Sequence, residues 1–379
     1  MKFINLKFKP EILLALIMMI GISGCIFVAK KAKPTYVPST VSRTVSKAQF
    51  RGKYLNTEAL PQGVSAWKYI TNDAIESSPV VWKDLIIFGA NDDNLYAVNI
   101  NNGLKFWVFK TSGPIVSSPE VYGNTVYFGS KDNKFYAVDI QTGLLKWVYK
   151  TKGEIISSPV VSANRVIFGS RDKNVYALDA SSGDLLWKYD TDSVVDSSPF
   201  VSNDIVYFGS YDCKLYAVSI ETGKVVWSFS AVEKISGSPV VYQNTIYFGS
   251  MDRYLYALDK DTGKPKWKHE ISGIINTTPA CDGVRVYFGA SDGVFYALNA
   301  STGVLAWKYE TTGAIFSSPA VVGSSVYFGS GDKNIYCLNA STGRLVWEYT
   351  TGDMVLSSPL IYDGKLFIGS NDSRLYALK

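Results

Sequence analysis

Between Leu60 and Lys379 the apolar residues fall into short runs separated by turns rich in Gly, Asn, Asp and Ser. Residues 140–179, "IQTGLLKWVYKTKGEIISSPVVSANRVIFGSRDKNVYALD", show the pattern. Strands are predicted at Ser157–Val161, Arg165–Ser170 and Asn174–Ala180, with a fourth opening at Leu185 in "LLWKY". None has helical spacing, and β-branched and aromatic residues dominate. The third run is apolar on both faces, Val175 and Ala177 on one and Tyr176 and Leu178 on the other. A sheet with one face in water would alternate apolar with polar, so these strands are expected to be covered on both sides.

The pattern repeats without a gap, in eight segments of forty residues from Leu60 to the end. Glycines from Gly63 to Gly343, prolines from Pro79 to Pro359, aspartates from Asp92 to Asp372 and tyrosines from Tyr96 to Tyr376 recur at that period. So do Trp67, Trp107, Trp147, Trp187, Trp227, Trp267, Trp307 and Trp347. Four strands per forty residues, repeated, predict an all-β fold, an eight-bladed β-propeller. The last segment stops at "LYALK" and lacks the Gly-x-x-x-Trp strand, which stands instead at the start as "PQGVSAWKYI", residues 61–70. The N-terminal strand is therefore expected to complete the C-terminal blade and remove the open edges.

Ala177, Asp179, Gly183 and Trp187 match the tryptophan docking motif of quinoprotein-type (PQQ-like) eight-bladed propellers, and the resemblance covers residues 60–379. The Gly is expected to turn the hairpin and the Trp to lie between blades as a structural residue. Burying about 150–250 Å² of ring gives roughly 4–6 kcal/mol as an upper bound. The recurring aspartates are expected to hold β-turns.

Charge divides the chain. The formal net charge is +5, but residues 1–59 carry ten Lys/Arg against Glu11 and Glu58, leaving the rest with 28 basic and 31 acidic residues. A nearly neutral body argues against nucleic acid as a partner. Lys2, Lys7 and Lys9 precede the apolar run "ILLALIMMIGISGC", residues 12–25, a pattern that predicts an export signal. Ile22-Ser23-Gly24-Cys25 resembles the lipobox of bacterial lipoproteins, which implies cleavage before Cys25 and its acylation. The alternative is an uncleaved anchor, because the apolar run extends to Ala29, about 27 Å of helix. The expected organisation is a signal peptide at 1–24, a lipidated Cys25 and flexible tether at 25–59, and the propeller at 60–379. Either anchor puts the propeller outside the cytoplasm, facing the periplasm from the outer membrane if the envelope has two membranes. Cys213, Cys281 and Cys337 are expected as small filler or surface thiols, with one bridge among the three left open.

Function is sought where the copies differ at an exposed edge. The position before Ser-Ser-Pro, expected near the channel mouth, reads Glu76, Val116, Ile156, Asp196, Ser236, Asn276, Phe316 and Leu356. Its polar members Glu76, Asp196 and Asn276 are partner-binding candidates. A second set, Lys131, Lys134, Arg171, Lys173, Lys214 and Arg253, interleaved with Tyr211 and Tyr254, reads as a cationic arc fit for an acidic peptide, a glycan or an anionic surface. Trp82 stands outside the tryptophan series as an exposed anchor or a support for the tether. His269 reads as an outer-strand residue rather than a base.

Three functions follow. Resemblance to quinone-dependent dehydrogenases implies pyrroloquinoline quinone, Ca²⁺ and a catalytic Asp. The sequence has neither a Cys-Cys pair nor a Cys-x-x-Cys-His site, and gapless repeats leave no room for the long insertions that build such pockets. No catalytic residue, cofactor or metal ligand is assigned. Resemblance to the BamB-like lipoprotein of the outer-membrane β-barrel assembly machinery implies a non-catalytic, monomeric scaffold that binds protein partners, among them a β-barrel insertase. That family's patch is matched by Asp196, whereas Val194 and the loop "KGEIISS" depart from it. The third reading is a surface module that binds glycans or exported proteins.

Overall fold

The structure is a computed structural model that describes residues 60–379. The expectations for residues 1–59, Cys25 among them, lie outside the described residues. Thirty-two strands, β1 to β32 in chain order, form eight four-stranded antiparallel sheets. Blade 1 holds β2 (Val80–Trp82), β3 (Leu85–Gly89), β4 (Asn94–Asn99) and β5 (Lys105–Lys110). Each following blade repeats that order outward from the axis, where the first strands of neighbouring blades touch. The middle strands are buried on both faces, as the double apolar pattern requires.

Blade 8 carries out the expected closure. β1 (Ser65–Ile70) pairs with β32 (Arg374–Leu378), Lys68 opposite Tyr376 and Tyr69 opposite Leu375. Val64 and Lys379 exchange backbone bonds of 3.0 and 2.7 Å, so the two ends of the propeller form one ladder.

One expectation is corrected. The innermost strand of blade 3, expected at Ser157–Val161, is β10, Val160–Ser162. Ser157 and Ser158 are committed elsewhere. Ser157 Oγ accepts from Gly169 N at 3.0 Å inside the blade, and Ser158 N donates to Ser198 Oγ of the next blade at 2.9 Å. The same bond links Ser78 to Ser118 and, across the closure, Ser358 to Ser78, both at 3.0 Å. Ser-Ser-Pro is thus an inter-blade buckle around the axis, fully buried and satisfied by hydroxyls rather than by a ladder.

Further out, each tryptophan reaches the following blade. Trp187 Nε1 donates to Ile220 O at 2.7 Å, Trp67 to Ile100 O at 3.1 Å, and Trp347 to Pro61 O at 2.8 Å. Gly183, at φ +80°, lies under Trp147, whose ring a Cβ would meet at 2.6 Å. Turn and docking therefore demand the same residue. Gly89 plays the matching part near the axis, since a Cβ there would stand 2.2 Å from Ile115 of blade 2. Trp187→Ala is expected to cost about 3–5 kcal/mol, the usual cost of an aromatic cavity. Urea denaturation measures it; a loss below about 1 kcal/mol would show that the β-strand contacts alone dock the blades.

Candidate functional site

The loops that enter each blade and those joining its second and third strands share one face. Asp92 and its equivalents build that face. In blade 3, Asp172 Oδ1 accepts from Asn174 N at 3.2 Å, and its Oδ2 accepts from Tyr176 Oη at 2.8 Å and Lys152 N at 2.8 Å. One carboxylate ties a turn, a strand and the loop arriving from the blade before. These tyrosine hydroxyls are pushed well above 10.0, first by burial and then by the bonded aspartate. Burial also raises the thiols of Cys281 and Cys337, to about 12 and about 11 from 9.0. Such protons are retained in the folded state at a pH where the unfolded chain sheds them. Stability is therefore expected to fall as the pH rises through the unfolded values of 9.0 and 10.0. Thermal melts between pH 7 and 11 check this; a melting temperature constant to pH 11 would contradict it.

The ring before Ser-Ser-Pro is not an exposed rim, which corrects the expectation. Glu76 and Asp196 are 0% and 1% exposed, and Val116, Ile156, Ser236 and Leu356 are buried with them. Over Glu76 lies Asn91, whose Nδ2 donates to Oε1 at 2.8 Å. Burial raises the Glu76 carboxyl, opposed by that bond and by Lys131. Asn276, also buried, accepts from Ser236 Oγ at 2.7 Å.

Asp196 and Arg171, placed in separate sets by the sequence, meet here. Arg171 grips Asp196 with two parallel bonds, Nε to Oδ1 at 3.0 Å and Nη2 to Oδ2 at 3.1 Å, a fork that fits a carboxylate. Its third nitrogen, Nη1, bonds Glu154 Oε2 at 2.9 Å. Burial lowers the guanidinium pKa, but Asp196 and Glu154 outweigh it and the net shift is upward. Tyr211 closes the other side: its hydroxyl bonds Asp196, and burial followed by that carboxylate pushes its pKa up. Lys234 Nζ lies 5.4 Å from the Tyr211 ring centre. A buried, fully engaged carboxylate thus supports a surface layer of Glu154, Arg171, Tyr211 and Lys234. Sequence reading missed Glu154 and Lys234. Their column, Ala74, Pro114, Glu154, Val194, Lys234, Ile274, Ala314 and Met354, is charged only at those two places.

The cationic arc is corrected as well. Beyond Arg171, Lys214 pairs with Asp192 at 3.2 Å, Arg253 with Glu270 at 3.2 Å and Lys134 with Asp132 at 3.6 Å. Tyr254 also bonds Glu270. The face is a mosaic of both signs rather than a positive field. Lys173 is exposed on a left-handed residue, φ 73°, whose carbonyl holds Thr191. Lys131 is half-buried beside Glu76.

The remaining candidates lie apart. Trp82 packs with the blade 1–2 core under the Lys83 ammonium. His269 stands on the outer strand of blade 5, opposite Leu255. All three body cysteines are free, Cys281 and Cys337 buried and Cys213 half-buried. Among the described residues no three His, Cys, Asp or Glu side chains cluster as metal ligands, and no helix is long and apolar enough to cross a membrane.

Comparison with known proteins follows the same lines. Solved structures with this fold include BamB from Moraxella catarrhalis, at TM-score 0.74 and 19% identity over 83% of this chain and 99% of that one. The computationally designed Ika8 protein aligns at TM-score 0.75 and 21% identity, over 84% and 99%. A europium-containing methanol dehydrogenase aligns at TM-score 0.72 and 13% identity, over 81% and 85%. At these identities the structures share the fold. No curated protein matches in sequence. The family model described as outer membrane protein assembly factor BamB matches residues 59–158, 150–234, 214–318 and 312–379, and the chain belongs to that family.

Proposed function

We propose that the protein is a non-catalytic scaffold of the cell envelope whose loop face holds a protein partner, as an assembly factor for outer-membrane proteins would. One observation carries the reading. Eightfold symmetry breaks at the mouth of blades 3 to 5, where buried Asp196 fixes Arg171 and Tyr211 beside half-buried Glu154. Rigid, mixed-charge anchors on a closed ring suit specific protein docking rather than diffuse attraction. Membership of the BamB family supports a partner in β-barrel assembly, the insertase being the first candidate. The proposal extends to the chain start: a signal peptide at 1–24 and a tether from acylated Cys25 that holds the ring at a membrane.

A quinone enzyme is the alternative, since a methanol dehydrogenase shares the fold. The residues at the channel mouth do not fit quinone and Ca²⁺. Its two carboxylates, Glu76 and Asp196, stand three blades apart, and Asp196 is already taken by Arg171 and Tyr211. Val116, Ile156, Phe316 and Leu356 occupy four of the eight places. Oxygen donors for a divalent cation do not converge there.

Charge reversal tests the scaffold reading. Glu154→Lys with Lys173→Glu keeps the net charge, gives up the outer Glu154–Arg171 pair and leaves Asp196 bonded to Arg171. Cross-linked pull-down from native membranes is expected to recover a β-barrel assembly protein with the parent chain and to lose it with the variant. Equal recovery by both would reject this face.

A further inference from the structure

The outer rim carries a different signal. Among the described residues each blade ends in a strand with a hydrogen-bonded neighbour on one side only, so eight edges face outward unpaired. Such edges template pairing with other chains, and lysine in the middle of the strand is a common defence. Four blades have it, at Lys68, Lys188, Lys268 and Lys308, and blade 7 has Glu348. The lysines lie over their own sheet: Lys68 Nζ is 4.8 Å from the Tyr376 ring centre and Lys268 Nζ 4.2 Å from that of Tyr254.

Blade 1 departs from this. At the matching position β5 has Val108, opposite Tyr96, and two residues earlier it has Phe106. They are 38% and 59% exposed, on the face that Trp107 and Phe109 do not use. No other blade carries a large apolar side chain at both positions. Exposed Lys105 and Lys110 bracket the pair. The neighbouring edge of blade 2 also lacks the lysine, with Val148 in its place.

We infer that the free edge of β5 is a docking site for an extended segment of another polypeptide, added as a fifth strand of blade 1. The strand's free N–H and C=O groups supply the ladder. β5 has a bulge at Phe106, between the pairs Ala97–Trp107 and Val98–Lys105, so the regular edge runs from Trp107 to Lys110. Val108 faces a guest apolar residue there, and Phe106 covers the guest's end from the bulge. Lys105 and Lys110 match acidic residues at its ends. This site lies on the rim and stands independently of the loop-face reading.

The probe is a fluorescent peptide, Asp-Val-Thr-Val-Thr-Val-Thr-Asp, titrated into the full-length protein. Phe106→Lys with Val108→Lys restores the defended pattern at exposed positions. Val226→Lys with Ser228→Lys adds the same charge at the matching places of blade 4. The Val108 cross-strand pair and the Phe106 cover are at stake, so the blade 1 variant is expected to weaken binding on the order of tenfold. Its added lysines attract the acidic peptide, so charge alone predicts the opposite sign. The blade 4 variant is expected to bind like the parent, amide exchange of residues 105–110 to slow on binding, and an alternately N-methylated peptide to fail. No binding by the parent, equal loss in both variants, or equal binding of the N-methylated peptide would overturn the inference. So would a parent dimer dissociated by the blade 1 variant, which assigns the edge to a second copy. Binding of the parent to anionic vesicles that the same variant abolishes would assign it to a lipid surface and overturn the inference equally.

Discussion

Deleting residues 60–70 is expected to abolish cooperative unfolding of the whole ring, rather than fray one blade. Three attachments leave together. The β1 ladder against β32 is removed, exposing the edge of a strand otherwise buried on both sides. Trp67 no longer docks on blade 1, and blade 7 loses the Pro61 carbonyl that accepts from Trp347. The tryptophan alone is worth about 3–5 kcal/mol. An unclosed edge adds aggregation to the thermodynamic loss. Circular dichroism melts and sedimentation read the result, which should be a broad transition or association at micromolar concentration. A permuted chain with residues 60–70 moved beyond Lys379 keeps every contact and should melt like the parent. A truncated ring with an unchanged, monomeric melt would mean that closure adds nothing to stability.

Arg171→Met is expected to be the most damaging single change on the loop face. It leaves the Asp196 carboxylate, 1% exposed, with no counter-charge, a loss of about 3 kcal/mol at the lower end of what breaking a buried pair costs. The lower end applies because the Arg171 side chain is itself 36% exposed, so water reaches one side of the pair. Asp196→Asn should cost less, about 1–2 kcal/mol, because Arg171 keeps Glu154 and solvent. Arg171→Met combined with Asp196→Leu should recover much of the loss, since no buried charge remains. Urea denaturation of the three variants decides it. Equal, small losses for both single variants would mean that water solvates Asp196 and that the pair has no structural role.

The repeat made the architecture legible. Trp187, Gly183 and the period of forty led to eight blades, and "PQGVSAWKYI" led to the closing strand, because such features have few other physical uses. Inner-strand boundaries were less legible. Ser157 and Ser158 read as strand, yet their hydroxyls and N–H groups serve the junction between blades. The candidate site was legible only in part. Asp196 and Arg171 each stood out as a break in a column, but their columns are 25 residues apart. Phe106 and Val108 stand in the run "KFWVFK", where nothing along the chain marks which residues face an open edge.

By itself the sequence determined the local chemistry and its periodicity: turns where only Gly fits, strands apolar on both faces, and a strand displaced from end to beginning. Those are set by neighbours in the chain and by copies forty residues apart, so they can be read along one line. Only the tertiary structure decided which polar residues face solvent. Curling the ring brings the end of one blade's second strand over the next blade's inner loop. That step buried Asp196 beneath Arg171 and Tyr211, drew four of the six expected cations into ion pairs, and left β5 with an apolar edge unpaired among the described residues.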